Sequence, residues 1–109
     1  MKGKIVLLPF PFTDLTTSKR RPALVILEKL NDVVVVFISS KIPKTQKKQH
    51  IIIKENDKDF RITGLKVNST IYLDKIATIS KNLLIGELGQ ITKRIKRIFN
   101  KNIKKIYHL

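Results

Sequence analysis

The chain has 109 residues, 42% of them hydrophobic, and carries 23 Lys and Arg against 8 Asp and Glu, a formal net charge of +15 at pH 7. The length suits one domain around one modest core, and the apolar fraction excludes a wholly disordered chain. The lack of cysteine removes disulfides, thiol nucleophiles and thiolate metal sites, and the charge favours polyanions: nucleic acid, an anionic membrane or an acidic protein.

The opening run KIVLLPF (4–10) is a short apolar stretch closed by proline and reads as a buried strand. It is too short for a signal peptide, and no window of the chain approaches the roughly 20 apolar residues of a membrane span. The expectation is a cytoplasmic protein with no membrane partner. PFTDLTTSKRR (11–21) lacks helical period and reads as a loop. PALVILEKL (22–30) and VVVVFISS (33–40) are β-branched runs parted by Asn31-Asp32, a hairpin signal. KIPKTQKK (41–48) is a basic loop, HIIIK (50–54) a strand and ENDKDFRITG (55–64) a turn-rich connection. VNSTIYL (67–73) and IATIS (76–80) follow as two strands. LIGELG (84–89) is a last short one, its glycines allowing a bulge. The tail then changes period. Ile91, Ile95, Ile98, Phe99, Ile103 and Ile106 recur three or four apart on one face of a helix, with Thr92 as N-cap. Several short strands followed by one helix predict a mainly β fold, a small closed or half-closed sheet with the helix against it.

Few residues could do chemistry. His50 and His108 are the two histidines, and no acidic pair stands at metal-ligand spacing. His50 in a strand reads as a packing or hydrogen-bonding residue, and His108 lies at a fraying end. No glycine-rich phosphate loop is present, and no cofactor is implied. What remains is cations and hydroxyls. If 22–30 and 33–40 pair as a hairpin, Arg21 at its open end lies near Ser39, Ser40 and Lys41. A guanidinium grips two phosphate oxygens in a fixed fork and can stabilise the charge of a five-coordinate phosphorus. A serine hydroxyl can bond the same oxygen, and an RNA 2′-hydroxyl can supply the nucleophile. Spacing alone does not separate this site from a solvated basic loop with turn-forming Ser and Thr.

GKIVLLPFPFTDLTTSKRRPALVIL, then VVVVFISSK, then GLKVNSTIYLDKIATI, then LGQIT before an amphipathic helix, in that order, resemble the PemK/MazF family of toxin–antitoxin ribonucleases. The resemblance implies an SH3-like barrel with a C-terminal α-helix, usually as a homodimer. It implies metal-independent cleavage of single-stranded RNA at short motifs, leaving 2′,3′-cyclic phosphate and 5′-hydroxyl ends. The family's catalytic arginine falls on Arg21 and its catalytic threonine on Ser39, with Ser40 adjacent. The implied RNA-binding set is Thr17, Ser18, Lys19, Arg20, Lys41, Lys44, Lys47 and Lys48, with 11–20 as a flap over the RNA. Phe10 and Phe12 read as core or as base-stacking residues. The sequence departs from the family pattern in Lys4 for an aspartate, Lys41 for a glutamine and Ser39 for the threonine. The alternatives are a non-enzymatic toxin of the same fold that inhibits a topoisomerase, and a plain nucleic-acid-binding barrel. The basic face of the helix reads as solvated, as membrane-seeking, or as the seat of an acidic antitoxin, which the resemblance favours.

Overall fold

The β-branched runs pair as their alternation requires. In a computed structural model, which describes residues 1–10 and 19–108, β1 (Lys4–Pro9), β2 (Arg20–Glu28) and β3 (Asp32–Ser39) lie side by side and antiparallel. β4 (His50–Ile53), β5 (Ser69–Ser80) and β6 (Gly86–Gln90) complete one curled six-stranded antiparallel sheet in the order β4-β5-β3-β2-β1-β6. α1 (Phe60–Thr63) precedes β5, and α2 (Lys93–Ile106) follows β6. This is the mainly β half-barrel with a C-terminal helix that the sequence predicts. Among the described residues, no helix is long and apolar enough to cross a membrane.

Both faces of the sheet are apolar. Ile5, Leu24, Val36, Ile38, Ile71 and Leu73 form one core, which α2 covers with Ile95, Ile98, Phe99, Ile103 and Ile106. The intervening residues Val6, Leu8, Ala23, Val25, Val33 and Val35 form a second cluster on the opposite face. Period-2 alternation produces this split, because neighbouring side chains of a strand point to opposite faces. Each fully buried Leu, Ile or Val contributes about 1.5–3 kcal/mol relative to exposure.

The structure corrects three sequence readings. β2 starts at Arg20, so Arg20 and Arg21 are strand residues and not loop residues. They pair with Pro9 and Leu8 of β1, whose ladder extends the strand past the proline. VNSTIYL and IATIS are one twelve-residue strand, β5, and not two. Its register slips where Val36 faces Ile76 and Phe37 faces Tyr72, so a bulge takes up the polar Asp74 and Lys75 without ending the strand. The 55–64 connection holds the short helix α1, which Gly64 ends in the left-handed region at φ 72°.

The β2–β3 hairpin forms as predicted, but its connection is residues 29–31, closed by the Lys29 N–H donating to the Asp32 carbonyl at 2.9 Å. Leu30 therefore leaves the strand and is 87% exposed. Thr92 caps α2 as predicted, its hydroxyl oxygen accepting from the Ile95 N–H at 3.3 Å. His50 is structural: its Nδ1 accepts from the Lys47 N–H at 3.1 Å, and Tyr72 meets the ring edge-on.

The acids of 55–64 have a structural use. Arg94 Nε donates to Asp59 and its Nη2 to Asp57, both at 2.7 Å, and Thr92 also donates to Asp59. This lashes the start of α2 to the turn before α1. The Asp59 N–H and the Arg94 guanidinium hold the Asp57 carboxyl below its ordinary range, and Arg94 does the same for Asp59. Lys81 and the N-terminal ammonium together push the Glu28 carboxyl down to about 2. Depressed carboxylates stabilise the fold above their unfolded values of 3.8 and 4.5, and the contribution is lost as pH falls through the lower folded values. Thermal melts are therefore expected to shift downward as pH falls from 4.5 toward 2. Arg94→Ala should lower the melting temperature near neutral pH and flatten the part of that slope below 3.8.

Candidate nucleic-acid interface

Arg21 and Ser39 share a face. Ala23 pairs with Phe37, and both belong to the cluster on the face away from α2. Two residues toward the open end of the hairpin, alternation brings Arg21 and Ser39 to that same face. The paired register between the strands begins at Ala23, directly after Pro22, which has no N–H to give. Beyond that register Arg20 and Arg21 are held by β1 and Ser39 by Thr70 of β5.

Arg21 is exposed, and its guanidinium lies 4.4 Å over the Phe10 ring. That cation–π contact orients the fork without neutralising it. Phe10, read as core or base-stacking, thus supports the arginine. Ser39 is half-buried, and its Oγ accepts from the Lys41 N–H at 3.1 Å. This turn fixes the oxygen and leaves the hydroxyl proton free to donate. Ser40 follows the strand and is exposed.

Arg21, Ser39 and Ser40 line one concavity of about 640 Å³, together with Lys19 and Arg20. Its apolar lining includes Leu7, Ile38 and Leu88, the last two from the α2-side core, so residues of both sheet faces meet in it at the open end of the hairpin, and no described acidic residue lines it. Glu28, Asp57, Asp59 and Glu87 are engaged elsewhere with cations. The described lining is therefore cationic where it is charged, which suits an anionic ligand.

Not every expected residue is in this groove. Lys41, Lys44, Lys47 and Lys48 stand exposed in the connection between β3 and β4, outside the concavity. Lys41 touches the site through its backbone N–H, and Lys47 serves His50. Lys4 pairs with Glu87 at 3.6 Å and donates to Gln90. Thr17, Ser18, Phe12 and most of the expected flap lie outside the described residues. Conversely, sequence reasoning missed the far wall of the groove, formed by Gly64, Leu65, Lys66, Val67 and Ser69. The signal that could have found it is Gly64 followed by an unpaired cation at a strand entrance. Among the described residues, no cluster of three His, Asp or Glu could hold a metal ion.

A second concavity, of about 240 Å³, lies where α2 meets the start of the chain. Leu24, Ile91 and Phe99 form its floor, and it holds none of the expected site residues.

The family model for the PemK-like, MazF-like toxins of type II toxin–antitoxin systems matches residues 1–107. The chain belongs to this family. Among solved structures, it is similar to a mycobacterial endoribonuclease in complex with its cognate antitoxin, at 18% identity and a TM-score of 0.72, over 100% of this chain and 95% of that one. It is also similar to the Mycobacterium tuberculosis toxin MazF-mt6, at 17% identity and a TM-score of 0.73, over 97% of both chains. MazF from Deinococcus radiodurans matches at 14% identity and a TM-score of 0.69, over 98% of this chain and 94% of that one. A search of curated protein sequences found no match. At these identities the solved structures establish the fold. The PemK/MazF-like fold thus carries Arg21 and Ser39 where two neighbouring strands open onto one concavity that has no acid among its described lining residues.

Proposed function

We propose that the chain is an endoribonuclease toxin that cleaves single-stranded RNA without a metal ion, at short sequence motifs, with Arg21 and Ser39 acting on the scissile phosphate. The observation that carries this reading is the meeting, in one concavity with no acid among its described lining residues, of the Arg21 guanidinium, which has no ion pair among the described residues, and the oriented Ser39 hydroxyl. Family membership supports it, as does the mycobacterial neighbour described as an endoribonuclease.

The chemistry follows from these groups. The RNA's own 2′-oxygen attacks the adjacent phosphorus, and its proton passes to solvent. A 2′,3′-cyclic phosphate forms, the bond to the 5′-oxygen breaks, and that oxygen takes a proton to become a 5′-hydroxyl. Between these events the phosphorus is five-coordinate and its equatorial oxygens carry extra charge. The Arg21 fork grips two of them, and the Ser39 hydroxyl donates to one. Ser40, adjacent and exposed, contacts the same phosphate. Lys19 and Arg20 hold flanking phosphates, together with Thr17 and Ser18. Lys41, Lys44, Lys47 and Lys48 attract RNA approaching past the edge of the groove.

The partner that silences the toxin is an acidic antitoxin. The net charge of +15 and the acid-free α2 sequence complement such a segment, and a mycobacterial neighbour was solved with its cognate antitoxin. The toxin acts as a homodimer, in keeping with the family resemblance.

The nucleophile in this scheme belongs to the substrate. A strand with a single 2′-deoxy nucleotide at a mapped cleavage position should resist cutting there and still be cut at its other sites. Cutting at the deoxy position would exclude the 2′-hydroxyl as nucleophile and overturn the scheme.

A further inference from the structure

The segment between α1 and β5 forms a wall of the groove that Arg21 also lines, and hydrogen bonds tie it on both sides of Lys66. Gly64 turns the chain out of α1 and lies against the Leu88 backbone, where a side chain has no room. The Leu65 N–H donates to Thr63 Oγ1 at 3.2 Å, and that hydroxyl donates to the Phe60 carbonyl at 2.6 Å. Asn68 Oδ1 accepts from the Glu55 N–H at 2.6 Å, and Ser69 Oγ donates to the Val67 carbonyl at 2.8 Å. Leu65 and Ser69 are themselves buried.

Between these ties stand the side chains of Lys66 and Val67, both of them exposed. Lys66 is exposed and makes no hydrogen bond or ion pair among the described residues, although acids elsewhere in the chain are paired. Val67 is 49% exposed, an apolar side chain left beside a cation. Both line the groove that Arg21, Ser39 and Ser40 enter from the other side. A cation and an apolar surface, side by side on a fixed backbone, match the two parts of a nucleotide: a phosphate and the face of an unstacked base.

We infer that Lys66 and Val67 form a subsite for the nucleotide next to the scissile phosphate, Lys66 holding its phosphate and Val67 meeting its base, and that this wall contributes to the choice of cleavage sequence. The inference rests on the ribonuclease reading. Lys66 is a binding residue, and Val67 a specificity-determining one. The ties matter because a wall held by hydrogen bonds favours one shape toward every base, so a base that fits poorly loses contact.

The test separates binding from cleavage. Binding is measured on single-stranded DNA, which lacks the 2′-hydroxyl nucleophile, across a series of salt concentrations. Lys66→Ala should weaken binding several-fold at low salt and make the log–log salt dependence shallower by about 0.7, the loss of one single-strand phosphate contact. Lys66→Arg should restore both. On cleavable RNA, Lys66→Ala should raise KM more than it lowers kcat. Val67→Ala should leave the salt slope unchanged and redistribute cuts among sites in a long RNA. Unchanged affinity and slope in Lys66→Ala would overturn the phosphate contact, and an unchanged cleavage pattern in Val67→Ala would overturn the base contact. Wild-type protein that binds DNA and cuts no RNA would instead overturn the ribonuclease reading, so the two failures are distinguishable.

Discussion

Arg21→Ala is expected to lower kcat on single-stranded RNA by about 10²–10³-fold, the usual loss when one donor to a developing oxyanion is removed. Binding should weaken only several-fold, because Lys19, Arg20 and Lys66 remain in the groove. The asymmetry follows from what each cation does. Flanking cations hold charge that is the same in the ground state and the transition state, which affects KM. Arg21 meets charge that grows as phosphorus becomes five-coordinate, which affects kcat. Arg21→Lys keeps the charge and loses the two-pronged fork, so it should recover only part of the rate. The fold should tolerate either change, since Arg21 is exposed and makes no ion pair among the described residues. Single-turnover kinetics at saturating RNA, beside a thermal melt, would check both points. Equal loss of affinity and rate would make Arg21 one phosphate anchor among several.

The largest stability effect is expected at a residue that touches no substrate. Gly64→Ala should destabilise the protein by about 2–4 kcal/mol. Two costs add there. The φ of 72° lies in the left-handed region, which disfavours a side chain. A Cβ at Gly64 would also collide with the Leu88 backbone carbonyl, which β6 cannot readily move. The same backbone contact is seen from the other side at Gly89, where a Cβ would meet the carbonyls of Ile62 and Thr63. Gly89→Ala should therefore destabilise through steric conflict alone, without the φ cost. By contrast, Gly86 has open space around it, and Gly86→Ala should leave the melting temperature nearly unchanged. Urea unfolding of the three variants would rank them. An unperturbed Gly64→Ala would contradict the close approach of α1 to β6. Because Gly64 also starts the groove wall, cleavage in that variant should fall beyond what unfolding accounts for.

Much of this was legible in the sequence, for physical reasons. Alternation and β-branching located β1, β2, β3 and β4, and the Ile/Phe period located α2 with its Thr92 cap. The near-equal length of two apolar runs around Asn31-Asp32 was enough to bring Arg21 toward Ser39. What failed was local or long-range. Arg20 and Arg21 read as loop because charge says nothing about a ladder to β1, which is supplied by residues eleven and thirteen positions earlier. Asp74-Lys75 looked like a break because a bulge absorbs polar residues without interrupting pairing. Asp57 and Asp59 looked like turn residues, and their partner Arg94 lies beyond a whole strand pair. The groove wall at Lys66 and Val67 was missed because Gly64 and the cation after it mark a turn but do not by themselves place that segment at the hairpin mouth. That placement is set by the backbone contact between Gly64 and β6.

The measurement that bears most directly on the account is cleavage of a long single-stranded RNA by the purified protein in excess EDTA, with the chemistry of the fragment ends mapped. The account requires cuts at a small set of short motifs, ends bearing 2′,3′-cyclic phosphate and 5′-hydroxyl, and no loss of rate with chelator. Fragments that vanish in EDTA, or that carry 5′-phosphate ends, would contradict it.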